Sequence, residues 1–153
     1  MLRNQNEGFS LVELVIVIAI MAILVAILAP QYIKYVEKSR LANDEQLVDA
    51  VHNAIAVALA NENIVRKPIA GFTPPQVNIE DIETGTIYST YPDFVNEIIS
   101  FLQVDSLASL APRLQSRFYK GQPILIEIDG NTQVVTVTVQ SKDSTAFDDL
   151  VIK

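Results

Sequence analysis

The residue most able to do chemistry in this chain is Glu13. It follows Gly8-Phe9-Ser10-Leu11-Val12 and opens a run, Leu14 to Ala29, that contains no charged, amide or hydroxyl side chain. A carboxylate at the edge of such a run is costly to place in lipid, so it needs a reason to be there. It can snorkel to the headgroups of a bilayer. It can also meet a cation that arrives only when the chain assembles with copies of itself. The other reactive side chains offer less. His52 is the only histidine and there is no cysteine, so the sequence supplies no disulfide, no thiolate metal site and little material for a Ser-His-Asp set. We therefore expect no enzyme, no cofactor and no resident metal. His52 itself reads as a structural or surface residue on the polar-to-apolar border of a helix. Glu80, Asp81 and Glu83 form an acidic cluster that could hold calcium, but without an EF-hand pattern it reads as solvated charge. Arg113, Arg117 and Lys120 could make a local basic patch for DNA or an acidic partner, with solvated surface as the ordinary reading.

Composition narrows the class. The chain has 153 residues, 50% of them hydrophobic, and a formal net charge of -7. That length accommodates one modest domain plus a membrane segment. Leu14 to Ala29, extended back to Phe9, is about 20 residues, enough to cross a hydrocarbon core as a helix. The acidic balance argues against nucleic-acid binding as a bulk property. A conventional secretory signal fits poorly. Its cleavage site should follow small residues at the end of the apolar run, where Ile27-Leu28-Ala29-Pro30 stands instead.

The segment Gly8-Phe9-Ser10-Leu11-Val12-Glu13-Leu14, followed by Val, Ile, Ala, Met and Leu up to Pro30, resembles the class III signal of type IV pilins and pseudopilins. The resemblance covers about the first fifth of the chain; beyond Leu41 it is architectural only. It implies cleavage between Gly8 and Phe9 by a prepilin peptidase, N-methylation of Phe9, and an assembly role for Glu13. It also implies an inner-membrane platform protein and a cytoplasmic assembly ATPase as partners. The product would be a helical homopolymer at the cell surface, drawn from a pool of subunits in the membrane. Within the family, the alternatives are a minor pilin or a pseudopilin of type II secretion or DNA uptake. Adhesion, motility, uptake and secretion are not separable here. A reading from another class is a membrane-tethered extracytoplasmic binding module. Many family members carry a mid-helix glycine; Ile20-Met21-Ala22-Ile23 has none, so unwinding in a fibre would centre on Pro30. The leader has Arg3 as its one basic residue and places Glu7 beside the glycine. Many pilins also staple the C-terminal region with a disulfide, which this chain must replace by packing.

Basic residues near the apolar segment, Arg3 on one side and Lys34, Lys38 and Arg40 on the other, would place the C-terminal side in the cytoplasm. The resemblance requires the opposite orientation, because the leader must face its peptidase. We follow the resemblance, whose motif is more specific than four charges. Tyr32 and Tyr35 are expected at the membrane edge or against neighbouring helices.

The elements that must position these residues follow from periodicity. One helix is expected from about Ser10 to about Asn61, roughly 75–80 Å long at 1.5 Å per residue, kinked but not ended by Pro30. Ile33 and Val36 share a face, as do Val48, Val51, Ile55 and Leu59, with Glu37, Lys38, Arg40, Asp44, Glu45 and Asp49 on the remainder. A break is expected at Asn61-Glu62-Asn63 and from Lys67-Pro68 to Pro74-Pro75. A loop-rich connection should then run from Pro68 to Tyr88, with a short strand at Thr86–Tyr88. Tyr91-Pro92-Asp93 should open a second helix, capped by Ser89 or Thr90, with Phe94, Ile98, Phe101 and Leu102 inward. Leu107 to Leu114, interrupted by Pro112, reads as irregular or a single turn. Pro123 to Ile128 and Gln133 to Val139 read as an antiparallel hairpin around a glycine-containing turn, with Phe147 to Ile152 as an edge strand. The class is thus α+β, a long N-terminal α-helix packed on a small antiparallel β-sheet headpiece. The expected divisions are a leader at 1–8, a membrane or filament-core helix at 9–30, an amphipathic continuation at 31–62 and the headpiece at 63–153.

Overall fold

The computed structural model describes residues 9–61 and 76–153. The leader, with Gly8, and the break from Lys67 to Pro75 lie outside the described residues. The chain divides into two compact units, one ending at Lys38 and one running from Ser39 to Lys153.

A single helix, α1, spans Leu11–Ala60 and contains Pro30 without ending there. In the first unit every side chain from Phe9 to Tyr35 is exposed, Ile33 included, and Val36 is half-buried. In the second unit the helix turns amphipathic. Val48, Val51, Ala54, Ile55 and Ala58 are buried along one stripe, and Leu59 is half-buried beside them. Spacings of three and four keep these residues on one side of the helix.

That stripe packs with a four-stranded antiparallel sheet, β1 (Gln76–Asn78), β2 (Ile124–Ile128), β3 (Val135–Val139) and β4 (Leu150–Ile152), paired in chain order. Strand alternation sorts the faces. Ile124, Ile126 and Ile128 stand opposite Val139, Val137 and Val135, and all six are buried. Thr136 and Thr138 take the other face. The hairpin turn contains Gly130, as expected, while its left-handed position falls on another residue. The left-handed residue is Gln133 (φ 56°), not Gly130. Asp129 builds this turn by accepting the amides of Asn131 at 2.7 Å and Thr132 at 3.0 Å, which holds its carboxyl below the ordinary range.

The stretch before Tyr88 is more regular than expected. From Gln76 it forms β1, then helices α2 (Ile79–Thr84) and α3 (Thr86–Thr90), so Thr86–Tyr88 is helical rather than a strand. Asn78 caps α2 through the amide of Glu80, and Ile79 and Ile82 bury one face. At Gly85 a β-carbon would lie 2.6 Å from the carbonyl oxygen of Asp81, so only glycine permits the closely joined pair of helices. The hydroxyls of Ser89 and Thr90 donate back to the carbonyls of Gly85 and Thr86. Neither therefore caps the next helix, α4 (Pro92–Leu102), which starts on its proline with no side-chain cap. Its inner stripe is Phe94, Val95 and Ile98. Leu102 is half-buried, and Phe101, expected inward, is 50% exposed because the stripe centres nearer Val95. Two 3₁₀ turns follow at Leu107–Ser109 and Ala111–Arg113.

Asp44 reverses the expectation for the polar face of α1. It is 1% exposed. Its carboxylate accepts the amides of Gln115 at 2.8 Å and Ser116 at 2.9 Å, tying the segment just after the second 3₁₀ turn to the helix. A buried carboxylate is tolerable when backbone donors satisfy both oxygens.

The C-terminal region is held without sulfur. The ring of Phe147 stacks on Phe118 with centroids 4.7 Å apart, and Tyr119 meets Phe147 edge-on at 6.1 Å. The Tyr119 hydroxyl donates to the carbonyl of Asp148 at 2.8 Å, and the amide of Lys142 donates to the carbonyl of Phe118 at 3.0 Å. The edge strand expected from Phe147 shortens to β4, which pairs Ile152 with Val137 and Leu150 with Val139. Burial, then the nearby carboxylates of Glu45, Asp149, Asp148 and Asp44, push the Tyr119 phenol above its ordinary value.

Two outcomes follow. Asp44→Ala leaves two inward-facing amides without an acceptor and should destabilise the headpiece by about 2–3 kcal/mol. Asp44→Asn should cost less; denaturant titration of the detergent-dispersed full chain, read by tyrosine fluorescence, measures both. Tyr119 gives a pH dependence. Its folded pKa exceeds the unfolded one, so its contribution is complete below about pH 10 and is lost as pH climbs through the folded value. Thermal melts from pH 8 to 11 should fall more steeply for the wild-type chain than for Tyr119→Phe.

Candidate assembly site

The first turn of α1 is a capping box. The Ser10 hydroxyl accepts the amide of Val12 at 3.2 Å, and the Glu13 carboxylate reaches back to accept the amide of Ser10 at 2.9 Å. The first helical bond, from the Leu14 amide to the Ser10 carbonyl, is 3.2 Å long. The two side chains thus satisfy two otherwise orphaned donors of the first turn, Glu13 that of Ser10 and Ser10 that of Val12. Negative charge is also favoured at a helix N-terminus by the aligned peptide dipoles. In lipid no water can replace these partners, so the cap matters more there than in solution. Glu13 therefore already has a partner within its own chain, in addition to any it meets on a neighbour. The sequence reading missed this function, although the Ser10-x-x-Glu13 spacing signals it.

One of the two carboxylate oxygens, Oε2, takes the Ser10 amide. A carboxylate accepts several hydrogen bonds, so capping leaves Glu13 able to receive a second donor. Phe9 is 83% exposed, one residue upstream of that amide. Along α1 the structure keeps the carboxylate at the head of a wholly exposed apolar shaft. The helix contains a segment long and apolar enough to cross a membrane, and none of it is buried among the described residues. Pro30 follows the last apolar residues inside the unbroken helix. Tyr32 and Tyr35 are exposed just beyond it.

The N-terminal segment is similar to the prokaryotic N-terminal methylation motif. The profile of that motif matches residues 3–29. Several curated proteins are similar over part of their length. Prepilin peptidase-dependent protein A of Clostridium perfringens is 40% identical over 40% of this chain and 44% of its own length. The type IV major fimbrial protein FimA of Dichelobacter nodosus is 29% identical over 56% of this chain and 54% of its own length. The type IV narrow pilus major component PilA5 of Thermus thermophilus is 42% identical over 35% and 47%. The chain thus spans about half the length of the curated relatives it matches. No solved structure matches it.

The remaining sequence candidates belong to the second unit. His52 is half-buried and lines a groove of about 370 Å³ with Ala56, Leu59, Val134 and Lys153; among the described residues no Ser, Asp or Glu lines it. Among the described residues no three His, Asp or Glu side chains converge to hold a metal. Glu83 is engaged elsewhere, accepting the Ser106 hydroxyl at 2.7 Å and the Leu107 amide at 2.8 Å. Of the basic trio, Arg117 and Lys120 come together and Arg113 does not join them. Arg40 of α1 does, which nothing local in the sequence announces.

The motif's first turn yields a prediction that separates capping from charge. Glu13→Gln retains an acceptor for the Ser10 amide, whereas Glu13→Ala removes it. Amide hydrogen exchange on the detergent-dispersed full chain should quicken at Ser10 in Glu13→Ala and stay near wild type in Glu13→Gln. Ser10→Ala should quicken exchange at Val12 by roughly fivefold, the equivalent of about 1 kcal/mol of capping.

Proposed function

We propose that this chain is a structural subunit of a type IV pilus-like filament, cut between Gly8 and Phe9, N-methylated at Phe9 and polymerised through the helix from Phe9 to Pro30. The observation that carries the reading is an apolar helical shaft with a single carboxylate in its first turn, inside a matched methylation motif. The similarity to proteins named as fimbrial and pilus components points the same way.

The physical chemistry is consistent. Cleavage would leave a cationic amine on Phe9. At 4 Å and an effective dielectric of 20, a Glu13 carboxylate and that amine on an incoming subunit attract by about 4 kcal/mol. Placing a charge at the centre of a transmembrane helix costs about 2.5–3.5 kcal/mol. The two are of similar size, so the pair favours one axial offset and penalises others. The shaft supplies the remaining drive. Apolar side chains gain little from one another in lipid, but about 25 cal/mol per Å² once the alternative is water. A repeated asymmetric contact that does not close yields a helical fibre. Extraction from lipid requires work; the resemblance to type IV pilins implies a platform protein and an assembly ATPase to supply it, and a prepilin peptidase to cut the leader.

Electron microscopy of sheared cell-surface material with N-terminal sequencing tests the reading. Filaments should contain this chain beginning at methylated Phe9. Glu13→Ala and Glu13→Val should be cleaved and membrane-bound yet absent from filaments. Filaments whose subunits retain Met1, or a normal yield from Glu13→Ala, would overturn it.

A further inference from the structure

The stem gains charge where its apolar run ends. Gln31, Lys34, Tyr35 and Lys38 follow one another at steps of three and four, so they share one side of α1, and all four are exposed. Tyr32, also exposed, flanks them. Their depth follows from the helix. Leu11 to Ala29 rises about 27 Å at 1.5 Å per residue, close to the roughly 30 Å of a hydrocarbon core. Lys34 and Lys38 then stand about 8 and 14 Å further along the axis. The headgroup layer on each side of the core is about 5–8 Å thick. Helical side chains lean toward the N-terminus, here toward the apolar run, and a lysine stem adds reach in that direction. With the apolar run in lipid, both ammonium groups come within reach of the phosphates. Glu37, the one acid between them, and Arg40, the next cation, already have partners within the chain.

We propose that Lys34 and Lys38 bind the phosphates of anionic phospholipids in the leaflet that the headpiece faces, with Tyr32 and Tyr35 seated among the headgroups. The proposal rests on the membrane-held subunit of the filament reading and adds which lipids surround it. Charge elsewhere in the chain narrows the partner. From Ser39 onward there are eight lysines and arginines against fifteen acids, so attraction to an anionic surface falls to the two lysines of the stem. A zwitterionic lipid also carries a phosphate, but its own cationic group competes with lysine for it. An anionic lipid leaves its charge uncompensated. Lysines on a translocated side run against the usual bias of basic residues toward the cytoplasm, and a headgroup partner gives them a use there. Extraction of the stem removes both lysines from the headgroups. An anionic bilayer therefore holds subunits back, and its composition sets part of the work that each extraction needs.

The chain has no tryptophan, so Leu28→Trp, on the same side of the helix near the end of the apolar run, supplies a unique reporter. The full chain carrying it is reconstituted in mixed vesicles of phosphatidylglycerol and phosphatidylcholine, with brominated acyl chains on one lipid and then on the other. Quenching should correspond to a local preference of about tenfold for phosphatidylglycerol. The preference should fall to near unity when Lys34→Gln and Lys38→Gln are added together, and weaken as salt rises. Equal quenching by the two lipids, or an undiminished preference in the double variant, would overturn the lipid site. An undiminished preference accompanied by loss of filaments in the double variant would place the lysines against a neighbouring subunit instead. The vesicle measurement needs no filament, so its failure leaves the filament reading intact. A chain that keeps the preference but never enters filaments would overturn the filament reading and not the lipid site.

Discussion

The constraint on which the molecule turns is an apolar surface that the described residues leave uncovered. Phe9 to Leu28 presents large hydrophobic side chains, 47% to 83% exposed, along one face after another of the same helix. Exposed apolar area on this scale is not stable in water, so the segment must lie in lipid or against other chains. The headpiece has no such debt. Its core residues from α1, α2, α4 and the sheet are nearly all sealed. The two units thus obey different solvents, and the same helix serves both by changing from apolar all round to apolar on one stripe.

Within that constraint the first turn has a particular task. A helix start in lipid presents amides that nothing outside the chain can satisfy. Ser10 and Glu13 resolve this with two short contacts, so the one carboxylate in the shaft has a structural use before any encounter with another subunit. Capping and pairing are compatible because a carboxylate offers more lone pairs than the Ser10 amide consumes.

What could be read in advance depended on how local the cause was. The apolar run, Glu13 and the alternation of Val135, Val137 and Val139 are properties of adjacent residues, and each was legible. The capping box is equally local, written in the spacing of Ser10 and Glu13, though its signal lies in hydrogen-bond donors and not in charge. Thr86-Ile87-Tyr88 carries β-forming side chains, yet Gly85 and the back-bonding hydroxyls of Ser89 and Thr90 hold it in a helical turn. Asp44 was not legible at all. Its burial depends on amides about seventy residues further along, and its neighbours on the helix are exposed acids. Arg40 joining Arg117 and Lys120 is likewise a product of tertiary packing.

The aromatic clasp at Phe118, Tyr119 and Phe147 has a wider consequence. Where a sulfur bridge would make closure conditional on an oxidising environment and an isomerase, stacked rings close on contact and reopen under the same equilibrium that governs the core. Reducing agents have no purchase on it. The headpiece can therefore reach its final form wherever it is delivered, in anoxic or thiol-rich surroundings as readily as in aerated ones.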